Sequence, residues 1–410
     1  MLPLGLSGLA LLSLLMGFGG IYLALVPGFP ISWLYVHATT RKLVNWALLL
    51  GAIAWIVIVV QGGATPDLVS LGAIGVLGLG VLLAHRLHQD AVFRAVTDPA
   101  MAPDPLTLPL DPDHELALIE VDGVTRAYPL AYVIHHHVIN DHIGRRLISL
   151  TYCAMCRTII TFDVTEIGPL YVGSFKDANM IVADRRTGTF FQQATFESLI
   201  GPLHPARLTL THYQVLPWSA VRKLRPMPEV ARVTPADLRD FELPIPGLWR
   251  RIMAGEVTPG LARRRHDPRF PARTRIIAFI GRGGQVVAIP KTEVLDAGMV
   301  DLSGHDVVLV AHGQSVNGFR RRSADQALQM DPAGALHDAL SGTTWDPRGK
   351  YLSGPQASDL EPIVLSDEFW FAWRFFHPEG QVIRISLLPP VSDIPEKGAI
   401  IAAHTERKGR

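Results

Sequence analysis

The chain has 410 residues, with 38 Lys plus Arg against 37 Asp plus Glu. That balance leaves no global field to recruit nucleic acid, and the length implies more than one folding unit. Charged residues make up only 18% and mean hydropathy is +0.24, so part of the chain belongs in lipid.

Residues 1–90 read as an all-α transmembrane region of three helices, at about 4–26, 44–60 and 68–84. Each is near the ~20 apolar residues that span a hydrocarbon core. The first lacks a basic n-region and is too long for a signal-peptide core, so it is expected to stay in the lipid bilayer. Small residues recur in the first segment (Gly5, Gly8, Gly17, Gly19, Gly20) and the third (Gly72, Gly75, Gly78, Gly80), which predicts close helix packing. Arg41, Lys42, Arg86 and Arg94 lie in the loops on one side. The positive-inside rule then puts the N-terminus outside and the soluble domain in the cytoplasm, in a multi-pass topology.

A linker over 91–114, containing "DPAMAPDPLTLPLDPDH", leads into a mainly β (α+β) domain of two degenerate repeats. "VDGVTRAYPLAYV" (121–133) is echoed by "GGQVVAIPKTEV" (283–294), and "RRLISLTYCAMCRTIITFD" (145–163) by "HDVVLVAHGQSVNGFRR" (305–321). "GTFFQQATFESLIGPL" (188–203) is echoed by "GTTWDPRGKYLSGPQ" (342–356), and "VLPWSAVRKLRP" (215–226) by "EFWFAWRFFHP" (368–378). The halves are placed at 115–230 and 276–390, with a connecting segment at 231–275 and a basic tail at 391–410. His312 and Ser315 fall near where Cys153 and Cys156 would lie, so the chemistry is expected in the first half.

Cys153 and Cys156 are the only cysteines. Random placement gives a CxxC spacing in roughly one case in two hundred. A thiol redox pair, a soft-metal site and two buried apolar cysteines are all compatible with it. Redox work needs a depressed thiol pKa, for which Arg157 is the neighbouring cation. Copper(I) is the metal to test first, with zinc second, because no second CxxC completes a tetrahedral set. A partner supplying a thiol or a metal follows from either case. The strand-like "RTIITFD" after the cysteines argues against a thioredoxin fold.

"HHHVINDHI" (135–143) is expected to form a strand hairpinned onto the cysteine strand. A two-residue loop at His142-Ile143 would put Tyr132 opposite Cys153 and leave His136 about 13 Å short of it. Alternation would put His135 and His137 on one face and His136 on the other. The runs "RRRH" (263–266), "RRR" (320–322) and "ERKGR" read as exposed basic segments able to meet anionic headgroups.

These blocks together resemble the DUF3179 family, a group of uncharacterised bacterial and archaeal proteins, closely over about 115–230 and more weakly to about 385. Tyr128, Pro129, His136, Asn140, Asp141, Thr151, Tyr152, Cys153, Cys156, Gly188, Gln192, Gly201 and Pro202 match its pattern. His137 replaces a usual Glu, Ala154-Met155 replace Pro-Leu, and Phe191 replaces Trp. The resemblance implies a bacterial or archaeal membrane and a common fold, but no activity. The expectation is a thiol site of Cys153 and Cys156 aided by His136 or His137, with Tyr128, Asn140, Asp141, Tyr152, Arg157 and Gln192 around it. It serves soft-metal binding or thiol redox chemistry, and the enzyme class open to it is a thiol oxidoreductase. The alternative is a non-catalytic binding or assembly module with structural cysteines.

Overall fold

The computed structural model describes residues 2–26, 28–177, 179–237, 246–254, 256–257 and 267–385. Helices α1 (Leu2–Leu25), α2 (Ile31–Gln61) and α3 (Leu68–Arg86) form the N-terminal region. α2 and α3 are long and apolar enough to cross a membrane, and α1 contains a shorter apolar stretch, Gly5–Gly20. α2 starts well before the expected 44–60, because its first turns are not lipid-like. They pack Leu34, Tyr35 and Ala38 against Ile181, Ala183 and Phe190 of the β domain. Of the glycines expected in helix contacts, Gly17 and Gly80 bring α1 and α3 together, and a Cβ on Gly80 would collide with Ser13. Gly5, Gly8, Gly72, Gly75 and Gly78 face open space.

A one-turn helix α4 (Gln89–Val92) leads to β1 (Val96–Thr97). β1 pairs in parallel with the strand at 138–143, so the expected linker belongs to the β domain. Next come β2 (Glu115–Val121), β3 (Val124–Pro129), α5 (Leu130–His136), β4 (Val138–Ile143), β5 (Arg146–Cys153) and β6 (Thr158–Asp163). A meander follows, of β7 (Leu170–Lys176), β8 (Asn179–Asp184), β9 (Phe190–Gln192) and β10 (Ser198–Ile200). β11 (Thr209–Thr211), β12 (Gln214–Pro217), α6 (Trp218–Val221) and β13 (Glu229–Val230) close this part.

After α7 (Leu248–Ala254) come β14 (Arg275–Ile280), β15 (Val286–Pro290), α8 (Lys291–Ala297), β16 (Met299–Leu302), β17 (Val307–His312) and β18 (Ser315–Arg320). A second meander holds β19 (Leu328–Met330), β20 (Leu336–Asp338), β21 (Thr344–Trp345) and β22 (Tyr351–Ser353). β23 (Ser366–Phe369), α9 (Trp370–Phe376) and β24 (Gln381–Val382) end the described chain. The sheets run β12-β2-β3-β13, β1-β4-β5-β6-β11 and β10-β9-β8-β7, then β23-β14-β15-β24, β16-β17-β18 and β19-β20-β21-β22. A late strand of each part lies beside the other part, β23 beside β6 and β12 beside β18.

Local departures from the sequence reading have physical causes. Pro129 and Pro290 each end a strand and start a short helix, since the fixed proline φ suits a helix start. His135 and His136 therefore lie on α5, not on a strand, and the expected alternation of three histidines does not arise. The β4–β5 turn falls at Gly144-Arg145, because Gly144 supplies the positive φ (+58°) that a tight hairpin requires. The register then pairs Val138 with Thr151 and Ile143 with Arg146, so each β4 residue meets a partner four residues further along than expected. The run 320–322 is not a solvated patch: Arg321 is buried in an ion pair with Asp301, and Arg322 is tied to Gln356 and Ser358. Residues 263–266 and 391–410 lie outside the described residues.

Candidate functional site: a buried dithiol with a carboxylic acid

Cys153 ends β5 and pairs with Thr158, the first residue of β6, so the CxxC forms the turn of this hairpin. Both thiols are free and fully buried. Three layers meet over them. β8 brings Asn179, whose Nδ2 donates to Cys156 Sγ at 3.1 Å. Thr158 places Oγ1 3.0 Å from the same sulfur. β23 brings Glu368, with Oε2 3.3 Å from Thr158 Oγ1, and Phe369 N donates to the Cys156 carbonyl at 2.9 Å.

The two thiols are not equivalent. Burial pushes Cys153 up, but hydrogen bonds from the Cys156 thiol and from the backbone N–H groups of Cys156, Met180 and Met155 outweigh it, leaving this thiol below its ordinary range. Burial and the neighbouring Cys153 drive Cys156 well above its ordinary range. Glu368 is pushed up to about 7 by burial, against hydrogen bonds from Ser366 and Thr158. Its neighbour Asp367 points its charge elsewhere, at Lys291 (2.6 Å) and Arg275, and is held below the ordinary carboxylate range despite its burial. Ser366 and Glu368 also line a cavity of about 60 Å³, beside Trp373 and His377.

A hydroxyl has one proton, so Thr158 cannot donate to Cys156 and Glu368 together. When Glu368 is protonated it donates to Thr158, which donates to the sulfur. When Cys156 is protonated and its S–H leaves Cys153, that S–H meets the Thr158 oxygen and Thr158 donates to the carboxylate. Passing between these states moves one proton from Cys156 to Glu368 through the hydroxyl.

The other sequence candidates are dispersed. Gln192 Nε2 donates to Asn179 Oδ1 at 2.6 Å, so it orients the amide that contacts Cys156. Its neighbour Gln193 donates to Thr151 and to the Thr158 carbonyl. Arg157 turns away from the sulfurs toward Glu115, 3.5 Å from its carboxylate. Tyr152 is buried in the core and pushed up to about 12 by that burial. Tyr128 donates to Asp141 at 2.5 Å, and Arg126 binds the other Asp141 oxygen and Glu229. Asn140 works as a strand edge, accepting from Leu170 N and donating to Leu170 O, and thereby ties β7 to β4. His136 bridges the Arg94 carbonyl and Asp237, and the His137 ring packs on Phe93 and Trp249. Neither histidine joins the cysteines, and no group of three His, Cys, Asp or Glu side chains able to hold a metal occurs among the described residues. Glu368 had no sequence signal beyond being one of two adjacent acids in "SDEFWFAW", because its proximity to Cys156 arises only from the crossing of β23.

The arrangement defines a mainly β domain that encloses a dithiol and a high-pKa acid. The profile of the family described as "Protein of unknown function (DUF3179)" matches residues 92–380, and the chain belongs to that family. Neither the curated proteins nor the solved structures contain a match.

Proposed function

We propose that this is a membrane-anchored thiol–disulfide redox protein. The reading rests on one observation, the Thr158 hydroxyl standing between Cys156 and Glu368. In the proposed cycle the cover over Cys153, which is fully buried in this state, must first open. The Cys153 thiolate then attacks a substrate disulfide, forms a mixed disulfide and expels one substrate thiolate. Cys156 then gives its proton through Thr158 to Glu368 and attacks Cys153 Sγ, expelling the second thiolate. Two electrons pass to the substrate, whose two leaving sulfurs are reprotonated by Glu368 and by water, and a Cys153–Cys156 disulfide remains.

Outward-facing apolar side chains on the helices, including Leu43, Leu50, Ile58, Leu68 and Leu71, support a lipid environment. The end of α2 that carries Arg41 packs on the β domain, which supports placing that domain on the basic, cytoplasmic side. In a reducing compartment the resting state is the dithiol, so electrons leave the protein toward the substrate. Matching strand orders support descent of the two halves from one duplicated unit. The contacts of Gly201 on Thr189 and of Gly354 on Thr343 support the same origin.

The test is anaerobic purification of the full chain in detergent, with thiols, copper, zinc and a midpoint potential measured together. Two thiols that oxidise reversibly, with no stoichiometric metal, are expected. Stoichiometric copper or zinc lost on Cys153→Ser would replace this reading with soft-metal binding, and inert thiols would leave a structural role.

A further inference from the structure

A second site lies where the helices meet the β domain. A cavity of about 90 Å³ is lined by His37, Arg41, His88, Asp90 and Tyr171, with Gly20 at its wall. Arg41 is only 9% exposed. Its Nε donates to the Ala84 carbonyl at 3.2 Å and its Nη1 to the Ala38 carbonyl at 2.7 Å, which uses two of five N–H donors. Among the described residues no carboxylate pairs with it. Burying such a charge costs several kcal/mol unless an anion offsets it.

The charge count at the cavity leaves Arg41 unbalanced. Asp90, the one acid in the lining, has both oxygens taken by Arg185, at 2.8 and 3.2 Å. Burial, with Arg41 adding to it, holds His88 neutral by pushing it down to about 4. The level of the cavity matters equally. The charge-free run of α2 begins at Leu43, and that of α3 ends at Ala84, whose carbonyl receives Arg41. Gln89 Nε2 donates to the Gly20 carbonyl of α1, so the third helix reaches the same level. This is the depth at which lipid phosphates sit, and arginine's planar fork suits a phosphate.

We propose that this cavity binds the phosphate group of a membrane glycerophospholipid, with the Arg41 guanidinium as its main ligand. The inference rests on the membrane-anchored part of the proposed function and not on its thiol chemistry. A headgroup held there would link the lipid surface to the sheet β7–β10, because Tyr171, Gly173 and Phe190 belong to the same lining.

The full chain, purified in detergent and stripped of lipid, is offered phosphatidylglycerol, diacylglycerol or inorganic phosphate, and bound species are read by native mass spectrometry. Retention of phosphatidylglycerol over diacylglycerol is expected, with roughly tenfold loss in Arg41→Gln and partial rescue in Arg41→Lys. Gly20→Ala is expected to weaken retention too, since its added Cβ meets Gln89 Oε1 at 2.9 Å, a flexible tip that can yield. Equal retention of the two lipids overturns the proposal whatever the variants do, and so does undiminished retention in a folded Arg41→Gln. Binding of inorganic phosphate without phosphatidylglycerol reassigns the cavity to a free anion. Carbonate extraction of membranes separates the two readings. Protein released to the supernatant overturns the anchoring, whereas pelleted protein without a phosphate preference overturns only this site.

Discussion

Phe369 gives its backbone N–H to the carbonyl of Cys156 at 2.9 Å. That bond lays β23, from one half of the domain, along the CxxC turn of the other, and it fixes Glu368 within reach of Thr158. Every expectation about the thiols follows from this crossing.

The two cysteines should behave differently when replaced. Cys153→Ser is expected to abolish reaction with a small aromatic disulfide. Cys156→Ser should still react once and then hold the mixed disulfide, visible as a stable adduct in the intact mass. Reversed behaviour of the two variants would refute Cys153 as the attacking thiol.

Closure of the internal disulfide should track the ionisation of Glu368. With its carboxyl pushed up to about 7, the fraction able to accept a proton rises tenfold per pH unit below that value and levels off above it. Glu368→Gln is expected to slow closure by ~10²-fold and remove the bend in the profile. Stopped-flow measurement of closure from pH 5 to 9 decides it, and an unchanged profile in the variant excludes Glu368 as the acceptor.

The same acid should mark the stability curve. Its folded value of about 7 exceeds its ordinary 4.5, so the folded state binds the proton more tightly. The resulting stabilisation, about 3 kcal/mol, is fully present below pH 4.5 and lost as pH rises through 7. Thermal midpoints of the full chain across this window should fall for the wild type, and that component should be missing from Glu368→Gln.

Asp367 performs the opposite task one residue earlier. Lys291 is 4% exposed in its side chain and depends on that carboxylate, which Arg275 shares. Asp367→Asn should cost ~3–5 kcal/mol by leaving a buried ammonium uncompensated. Chemical denaturation checks this, and a loss below 1 kcal/mol would show that Lys291 finds another partner or sheds its proton.

Tyr128→Phe removes the donor to buried Asp141 and should destabilise the fold by ~1–2 kcal/mol. Thiol kinetics should be untouched, because this bond sits in the ion network with Arg126. Altered exchange rates in the folded variant would return Tyr128 to the thiol site.

Much of the architecture could be read from the chain. The three apolar segments, the change to β structure and the pairing of the 138–143 strand with the cysteine strand rest on local pattern, and local pattern is what sequence displays. The histidines were misplaced because Pro129 starts a helix where alternation suggested a strand, and because Gly144 moved the turn by two residues. Asn179 escaped notice since an amide in a strand carries no signature of its own, and Gln193 could be read from sequence only as a ligand contact or a cross-strand pair. Glu368 lay beyond any local reading, as its role depends on a strand crossing between halves. Motif residues such as Asn140 and Asp141 proved to hold strands and ions, which keeps a scaffold in register as strictly as catalysis would demand.

The split of the site also sets an order of events during synthesis. Thr158 and Glu368 are 210 residues apart. At ribosomal speeds the thiols emerge about 10–40 s before the acid. During that interval the nascent first half holds two cysteines with no proton acceptor beside them. On the proposed function, the internal proton acceptor therefore reaches Cys156 only when β23 docks, after both parts of the domain have been made.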